Sequence, residues 1–232
     1  MSDEEKLKFF KDPKGAWKIW KKPKPEHHYI FGVDTVSGED DGIIKHDYCV
    51  AWGMDRDGCD YVAKYRAQVD PDTAAEEVEK IAWWYNEALI IPERNTYGDA
   101  FIRHLNLRLR YQNIFKDVRL DERTKQRTTK LGFYTGPATK GPLVDAFAAA
   151  IRQGQIQMPD ADTIDECLTF VVKPNGRASA EPGCHDDSVM AAALCLHAHL
   201  LTPIPDRESE DVTRLINSAD NENAETEKQE TL

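Results

Sequence analysis

The run Asp186–Leu200 (DDSVMAAALCLHAHL) is the feature of this sequence that most constrains its fold. After its first three residues it is apolar almost throughout, so a helix built from it is apolar nearly all round. Such a helix is stable only when other elements cover it on all sides. The sequence therefore predicts a layered fold in which Asp186–Leu200 is a buried helix.

Apolar runs of strand length occur earlier in the chain. Tyr29–Asp34 is a short apolar run, and Asp47–Met54 and Cys59–Val69 are two more, separated by the turn sequence Asp55–Gly58. Ala88–Glu93 is a fourth run of the same kind. We expect four strands, of which the second and third form a hairpin.

Apolar spacing and capping residues predict the elements between and after these strands. They are a helix from Asp70 and Pro71 to about Glu87, a helix over Tyr97–Leu109 capped by Asn95 or Thr96, a strand over Asn113–Val118, an exposed hairpin or mobile loop over Arg119–Thr135, and helices over Pro142–Gln153 and Asp160–Val172. Strands followed by alternating helices and strands build a mixed sheet with helices on both faces. The predicted fold class is α/β, with three α/β/α layers around a mixed central sheet.

Composition excludes several classes of protein. The 41% of hydrophobic residues can build a core, and no apolar run approaches the ~18 uncharged residues of a membrane helix. The first residues lack the apolar stretch of a signal peptide, and the five cysteines contain no CxxC pair that would suggest a zinc site or a disulfide framework. We expect a cytoplasmic location and no membrane partner.

The net charge of −11 is unevenly distributed. Residues 206–232 carry nine acids against three bases and few large apolar residues, which predicts a disordered acidic tail. Residues 1–26 carry eight lysines and are interpreted as a lysine-rich linker or N-terminal extension, which leaves 27–205 as the folded domain. Within that domain, Phe101–Lys140 carries ten bases against three acids. A polyanionic partner responds to this local field more than to the net charge.

Four acids stand at the ends of predicted core elements. Asp34 ends one strand, Glu93 ends another, and Asp186 and Asp187 open the buried helix. Each has an ordinary interpretation, as a turn residue, a surface acid or an N-cap, but together they predict a site beyond the strand ends. Carboxylates without His or Cys ligands suit Mg²⁺ or Mn²⁺, and two ions ~4 Å apart are the usual device for phosphodiester hydrolysis. Asp186, the first of its pair, is expected to reach toward Asp34, and Asp187 to bind the second ion or to orient a water.

At these residues the sequence resembles a known family, the nuclease domain of the large terminase subunit of tailed bacteriophages. Four motifs in order carry the resemblance: Lys22-Pro23 before Tyr29–Thr35, Glu93–Gly98, Thr135–Lys140 before a helix, and Gly183–Asp187 before the alanine-rich helix. The resemblance implies an RNase H-like fold and metal-dependent cleavage of double-stranded DNA during viral genome packaging. It also implies metal binding by Asp34, Glu93, Asp186 and Asp187, and a position near DNA for Thr139 and Lys140.

The same resemblance implies partners. Terminase large subunits normally carry a packaging ATPase domain, whereas this sequence has no GxxxxGK[ST] motif. We therefore expect an isolated nuclease domain, or one part of a split arrangement. An ATPase domain, the terminase small subunit and the portal or procapsid are its implied partners, in the cytoplasm of the host cell.

Basic residues of the predicted loop could hold DNA across the acidic site. The candidates are Arg119, Arg123, Lys125, Arg127 and Lys130, and a solvated loop with no such role is the alternative. No predicted helix carries a set of residues that would read bases, so binding is expected to be largely independent of DNA sequence.

Two other functions fit parts of the sequence. Gly32–Gly38 is similar to the opening strand and loop of sugar kinases and actin-like ATPases, although acids follow where a phosphate would bind. An assembly module with structural Mg²⁺ that cuts nothing is the third hypothesis.

Overall fold

The structure is a computed structural model that describes residues 12–35, 48–120, 123, 126–172, 178–181 and 184–204. The predicted acidic tail, residues 1–11 of the predicted lysine-rich segment, residues 36–47 and Lys125 lie outside the described residues. Among the helices that are described, none is both long enough and apolar enough to cross a membrane.

A mixed five-stranded sheet forms the centre of the fold. In chain order its strands are β1 (Trp17–Ile19), β2 (Tyr29–Asp34), β3 (Cys49–Asp55), β4 (Asp60–Ala67) and β5 (Leu89–Pro92). Their order across the sheet is β1-β4-β3-β2-β5, with β5 parallel to β2 and every other neighbouring pair antiparallel. The four predicted strands are confirmed. The edge strand β1, which lies in the segment interpreted as a linker, was not predicted.

In the described part of the chain, five α-helices accompany the sheet: α1 (Pro71–Trp84), α2 (Thr96–Arg103), α3 (Lys140–Arg152), α4 (Ala161–Leu168) and α5 (Asp187–Leu201). Asp70 caps α1 as predicted, because its carboxylate accepts the backbone N–H groups of Asp72 and Thr73. Asn95, rather than Thr96, caps α2 by accepting the N–H of Gly98. A π-helical turn over His104–Arg108 continues α2 almost to its predicted end.

Two helices end several residues earlier than the sequence predicts. Helix α1 ends before the predicted Glu87 because Asn86 and Glu87 adopt left-handed φ angles of 58° and 57°. The helix predicted over Asp160–Val172 ends at Leu168, and Phe170–Val172 instead forms β8, which pairs with β9 (Ala178–Ala180). The valines after Phe170 favour this extended form.

The basic segment after α2 forms a separate hairpin. Its strands are β6 (Lys116–Leu120) and β7 (Arg127–Leu131), which pair antiparallel. The strand predicted over Asn113–Val118 is thus shifted, because this chain segment pairs with β5 before the hairpin begins. The N–H of Ile90 donates to the carbonyl of Asn113, and the N–H of Phe115 donates to the carbonyl of Ile90. The exposed hairpin predicted for this region is confirmed.

Alternate residues of the central strands pack on opposite faces of the sheet. Ile30 of β2 belongs to the core beneath α3 and α5, whereas Tyr29, Phe31 and Val33 belong to the core beneath α1 and α2. Both faces are covered, so the predicted three-layer α/β/α architecture is confirmed. Helix α5 is buried along most of its length, as the sequence required.

Gly32 controls how closely α5 approaches the sheet. A Cβ at this position would collide with the backbone of α5 at Ala191 O, and would lie 2.7 Å from Cys195 N. The Gly32 N–H donates to Cys195 Sγ at 2.9 Å. Since Asp34 lies two residues further along β2, it faces the same side as Gly32. The close packing of α5 therefore brings the start of this helix to the end of β2.

Candidate metal centre

Asp34 is the most buried of the four predicted acids. It is the last residue of β2 and is 7% exposed. Burial raises its pKa well above the usual range, and Glu93, Asp187 and Asp186 raise the pKa further, in that order. A carboxyl in this environment is costly to ionise unless a cation lies beside it.

Glu93 reaches Asp34 because β5 runs parallel to β2. The N–H of Glu93 donates to the carbonyl of Val33 at 2.7 Å, so Glu93 continues the pairing of the two strands. Glu93 raises the pKa of Asp34, because the two carboxylates repel each other. Like charges held this close are costly unless one of them is neutralised. The pair therefore needs either a proton or a cation between its oxygens.

Asn95 holds Glu93 in place. Its Nδ2 donates to Glu93 Oε2 at 3.0 Å, while its Oδ1 accepts the N–H of Gly98 at 2.8 Å and the hydroxyl of Thr35 at 3.2 Å. One amide thus ties Glu93 to the start of α2 and to the end of β2. Sequence reasoning identified Asn95 only as a helix cap. Its position two residues after Glu93 is the signal that could have indicated the second role.

Asp186 and Asp187 lie at the start of α5 in different environments. Asp186 is 27% exposed at its side chain and accepts a hydrogen bond from Lys140 Nζ at 2.9 Å. Asp187 is 14% exposed, and His185 Nδ1 lies 3.7 Å from its Oδ2. Asp187 raises the pKa of Asp34 more than Asp186 does. This order favours Asp187 as the closer electrostatic partner of Asp34, opposite to the expectation from the sequence.

Glu166 of α4 supports the start of α5 and was not identified from the sequence. Its two carboxylate oxygens accept the N–H of Ser188 at 2.9 Å and the hydroxyl of Ser188 at 2.8 Å. A carboxylate bonded to the first turn of a helix is stabilised by the free N–H groups there. This contact fixes the residue after Asp187 and hence the direction of the Asp186–Asp187 pair.

The predicted DNA-binding residues fall into two groups. Lys140 joins the acidic centre, and Thr139 precedes it, donating its hydroxyl to the carbonyl of Tyr134 at 2.8 Å. Arg123, Arg127 and Lys130 are exposed on the β6–β7 hairpin or its turn, while Lys125 lies outside the described residues. Lys140 therefore lies in the acidic centre, whereas the predicted residues on the hairpin form a separate basic surface.

Oxygen donors dominate this centre. Of the four carboxylates, that of Asp186 is ion-paired with Lys140, and the most buried one, that of Asp34, has a raised pKa. Hard divalent cations prefer such a donor set. The residues therefore fit Mg²⁺ or Mn²⁺, although the four acids do not bring three ligand atoms within 4.8 Å of one another in the described part of the chain.

A different group does reach that spacing among the described residues. The ligand atoms of His27, Asp55 and Asp57 lie within 4.8 Å of one another and could hold a metal ion. Asp55 pairs with Tyr29 at the start of β2, so this group lies at the end of the sheet away from Asp34. Asp55 also accepts hydrogen bonds from His27 and from the N–H of Asp57, which account for its arrangement as a hairpin turn.

Comparison with solved structures finds similar folds. The crystal structure of the large terminase nuclease from thermophilic phage G20c has a TM-score of 0.60 and 20% sequence identity, over 80% of this chain and 90% of that one. A crystal structure of the G20c protein with bound magnesium has a TM-score of 0.61, with 20% identity, over 80% and 89% of the two chains. The large terminase nuclease domain of Thermus phage P74-26 has a TM-score of 0.58 and 19% identity, over 84% and 92%.

No protein-family model matches the chain, and no curated protein matches it. At about one fifth identity the structural similarity describes the fold and not the activity. The resemblance that the sequence motifs suggested is confirmed at that level. The chain has the RNase H-like fold of large terminase nuclease domains.

Proposed function

We propose that this protein is a metal-dependent endonuclease that cleaves double-stranded DNA with little sequence specificity during viral genome packaging. The observation that carries the proposal is the buried carboxyl of Asp34, whose pKa is raised by burial and by three neighbouring acids. The fold is that of large terminase nucleases, and crystal structures of the G20c nuclease contain magnesium, cobalt or zinc. Both observations support a hydrolase whose acids bind a divalent metal.

Asp34, Glu93, Asp186 and Asp187 are the residues that would hold the metal, and we propose two ions of Mg²⁺ or Mn²⁺. When bound, such ions lower the pKa of an attacking water and stabilise the departing oxygen of a phosphodiester. Asp34 lies between Glu93 on one side and the start of α5 on the other. This position supports Asp34 as the acid that would serve both proposed ions.

The chain's own side chains orient the acids and the substrate. Asn95 fixes one oxygen of Glu93, so the other remains available to a ligand. Glu166 fixes the first turn of α5 through Ser188. Lys140 neutralises Asp186 and is the base best placed to meet a backbone phosphate at the centre.

The hairpin supplies the remaining DNA contacts in this proposal. Arg123, Lys125, Arg127 and Lys130 bind phosphates, and since phosphate contacts carry no base information, cleavage is largely independent of sequence. By analogy with the large terminases that it resembles, the protein works in the host cytoplasm. Its proposed partners are a packaging ATPase domain, the terminase small subunit and the portal of the procapsid.

Incubation with supercoiled plasmid tests the proposal. We expect nicking and linearisation with Mn²⁺ or Mg²⁺, no cleavage in excess EDTA, and no change in rate on addition of ATP. ATP hydrolysis without DNA cleavage would favour the kinase-like alternative. Metal binding without either reaction would favour an assembly module.

A further inference from the structure

Two arginines and a tyrosine form a cluster beside the candidate metal centre that the proposed function does not use. The guanidinium carbons of Arg94 and Arg119 each lie 5.9 Å from the centre of the Tyr134 ring. Asp117 Oδ2 accepts a hydrogen bond from Arg119 Nε at 2.9 Å and lies 3.6 Å from Arg94 Nη2. We call Arg94, Arg119 and Tyr134 the arginine cluster.

The arginine cluster has unused capacity to bind an anion. Two guanidiniums share one carboxylate among the residues that the structure describes, which leaves one positive charge uncompensated. The Nη1 nitrogen of Arg94 is buried and has no hydrogen-bond partner in this described region. Buried donors of this kind are normally satisfied, so the guanidinium of Arg94 is short of acceptors, and an anion from outside the chain would meet the cluster at Arg119, whose side chain is 47% exposed.

The cluster is fixed to the acidic centre by the backbone. Arg94 follows Glu93, and its N–H donates to the carbonyl of Phe133 at 2.7 Å, directly before Tyr134. The carbonyl of Tyr134 accepts a hydrogen bond from the hydroxyl of Thr139. Lys140, which follows Thr139, is ion-paired with Asp186. The anion site and the acids therefore lie on the same short segments of chain.

The ring of Tyr134 is both accessible and held. It is 46% exposed, and a Cβ at Gly136 would lie 2.6 Å from one of its ring carbons, so Gly136 packs directly against it. Exposed aromatic rings beside arginines stack with the bases of single-stranded nucleic acid, while a guanidinium binds a phosphate through two parallel hydrogen bonds. The groups that would bind a phosphate and a nucleoside therefore lie next to each other.

We propose that the arginine cluster is a nucleotide subsite next to the cleavage centre. Arg94 and Arg119 bind one backbone phosphate beside the phosphodiester that is cut, and Tyr134 packs against the nucleoside of that nucleotide. This inference rests on the proposed nuclease function for its substrate. It adds Arg94 and Tyr134 to the DNA-binding residues predicted from the sequence, and it assigns Arg119, one of those residues, to a phosphate beside the cleavage centre.

DNA binding in EDTA tests the subsite separately from cleavage. The probes are a short fluorescein-labelled duplex and its single strand, and the readout is fluorescence anisotropy as a function of salt. We expect Arg94→Gln and Arg119→Gln each to weaken duplex binding by about 10-fold, the size of one charge-assisted hydrogen bond. The slope of log K against log salt should fall by about 0.9 for each lost phosphate contact.

Matched variants separate charge from geometry. Arg94→Lys keeps the charge, so the salt slope should stay while the affinity falls, because lysine lacks the planar fork. Arg152 is exposed at the far end of α3, so Arg152→Gln should change neither the DNA affinity nor the salt slope. Tyr134→Phe should bind single strands like the wild type, whereas Tyr134→Leu should lose single-strand affinity more than duplex affinity.

The outcomes distinguish this inference from the nuclease proposal. An Arg94→Gln variant with wild-type affinity and salt slope would overturn the subsite, whether or not the protein cleaves DNA. Polyglutamate that binds the wild type, but not Arg94→Gln, while DNA affinity is unchanged would also overturn it in favour of an acidic protein partner. A protein that binds DNA through Arg94 but cleaves nothing would keep the subsite and refute the nuclease.

Discussion

Lys140 Nζ lies 2.9 Å from Asp186 Oδ2, so the segment predicted to contact DNA is ion-paired with a predicted metal ligand. The pair connects the first residue of α3 with the residue before α5. If Asp186 holds the proposed metal, a divalent cation and Lys140 compete for the same carboxylate. In this account, metal binding frees Lys140 to meet a phosphate.

Replacing Lys140 should change metal and DNA affinity in opposite directions. We expect Lys140→Met to bind Mn²⁺ about three-fold more tightly, because a partly exposed ion pair no longer competes for Asp186. DNA binding should weaken in the same variant. Calorimetric Mn²⁺ titration and DNA anisotropy measure the two effects. Lys80→Met, which removes an exposed pair with Glu77 on α1, is the control.

Substitution of the two aspartates of α5 tests which is the closer partner of Asp34. Asp187 is more buried than Asp186 and raises the pKa of Asp34 more. We therefore expect Asp187→Asn to abolish plasmid cleavage and Asp186→Asn to reduce it. The opposite order would restore the expectation from the sequence. Full activity in both variants would remove α5 from the catalytic site.

Asn95 should act as a positioning residue that can be separated from its role as a helix cap. Asn95→Ser keeps an N-cap oxygen for Gly98 but removes the donor to Glu93 Oε2. We expect near wild-type stability with cleavage reduced about 10-fold or more, as for loss of a contact that orients a metal ligand. Asn95→Ala should also lose about 1 kcal/mol of stability.

The readout for Asn95 includes metal affinity as well as rate. A weaker Mn²⁺ affinity in Asn95→Ser, with an unchanged melting temperature, would support the positioning role. Wild-type metal affinity and cleavage in Asn95→Ser would show that Asn95 is only a cap.

A buried ion pair on the sheet should make stability depend on acid pH. Lys64 and Asp160 are 2% and 3% exposed at their side chains and lie 2.7 Å apart. Despite burial, which acts in the other direction, hydrogen bonds from Lys64 and Lys18 lower the pKa of Asp160 to about 2. A lowered carboxyl pKa stabilises the fold above the unfolded pKa of about 4. This contribution is lost as the pH falls from about 4 to about 2, which urea unfolding at several pH values measures.

Removing only the carboxylate of that pair should cost more than removing both charges. Asp160→Asn should lower the free energy of unfolding by about 3 kcal/mol, because the charge of Lys64 then stays buried without a carboxylate, whereas Lys64→Met should cost less, because Lys18 still pairs with Asp160. The double variant Lys64→Met with Asp160→Asn, which keeps an N-cap oxygen for α4, should be closer to the wild type than Asp160→Asn alone. Additive losses in the double variant would contradict this explanation.

Much of the fold follows from local sequence patterns. The apolar helix α5, the hairpin of β3 and β4, and the cap of α1 at Asp70 are each determined by residues close together in the chain. Strand β1 has only three residues and pairs with β4, so its pairing partner lies far away in sequence. The left-handed residues that end α1 likewise carry no distinctive sequence signal.

The candidate site was predictable as a set of acids but not as a network. Asp34, Glu93 and the Asp186–Asp187 pair all end or begin core elements, and this position made them recognisable. Contacts such as Glu166 with Ser188 depend on how α4 meets α5, which no local pattern specifies. Arg94 was passed over because its partners, Asp117 and Tyr134, come from the hairpin and the segment that follows it.

The most direct test of the central claim is plasmid cleavage by Asp34→Asn, purified in parallel with the wild type. Asparagine keeps the shape of the side chain but removes its charge, so the variant should fold. We expect Mn²⁺-dependent cleavage by the wild type, and neither cleavage nor wild-type Mn²⁺ affinity in Asp34→Asn. Cleavage by a folded Asp34→Asn protein at the wild-type rate, or cleavage by the wild type in excess EDTA, would contradict the account.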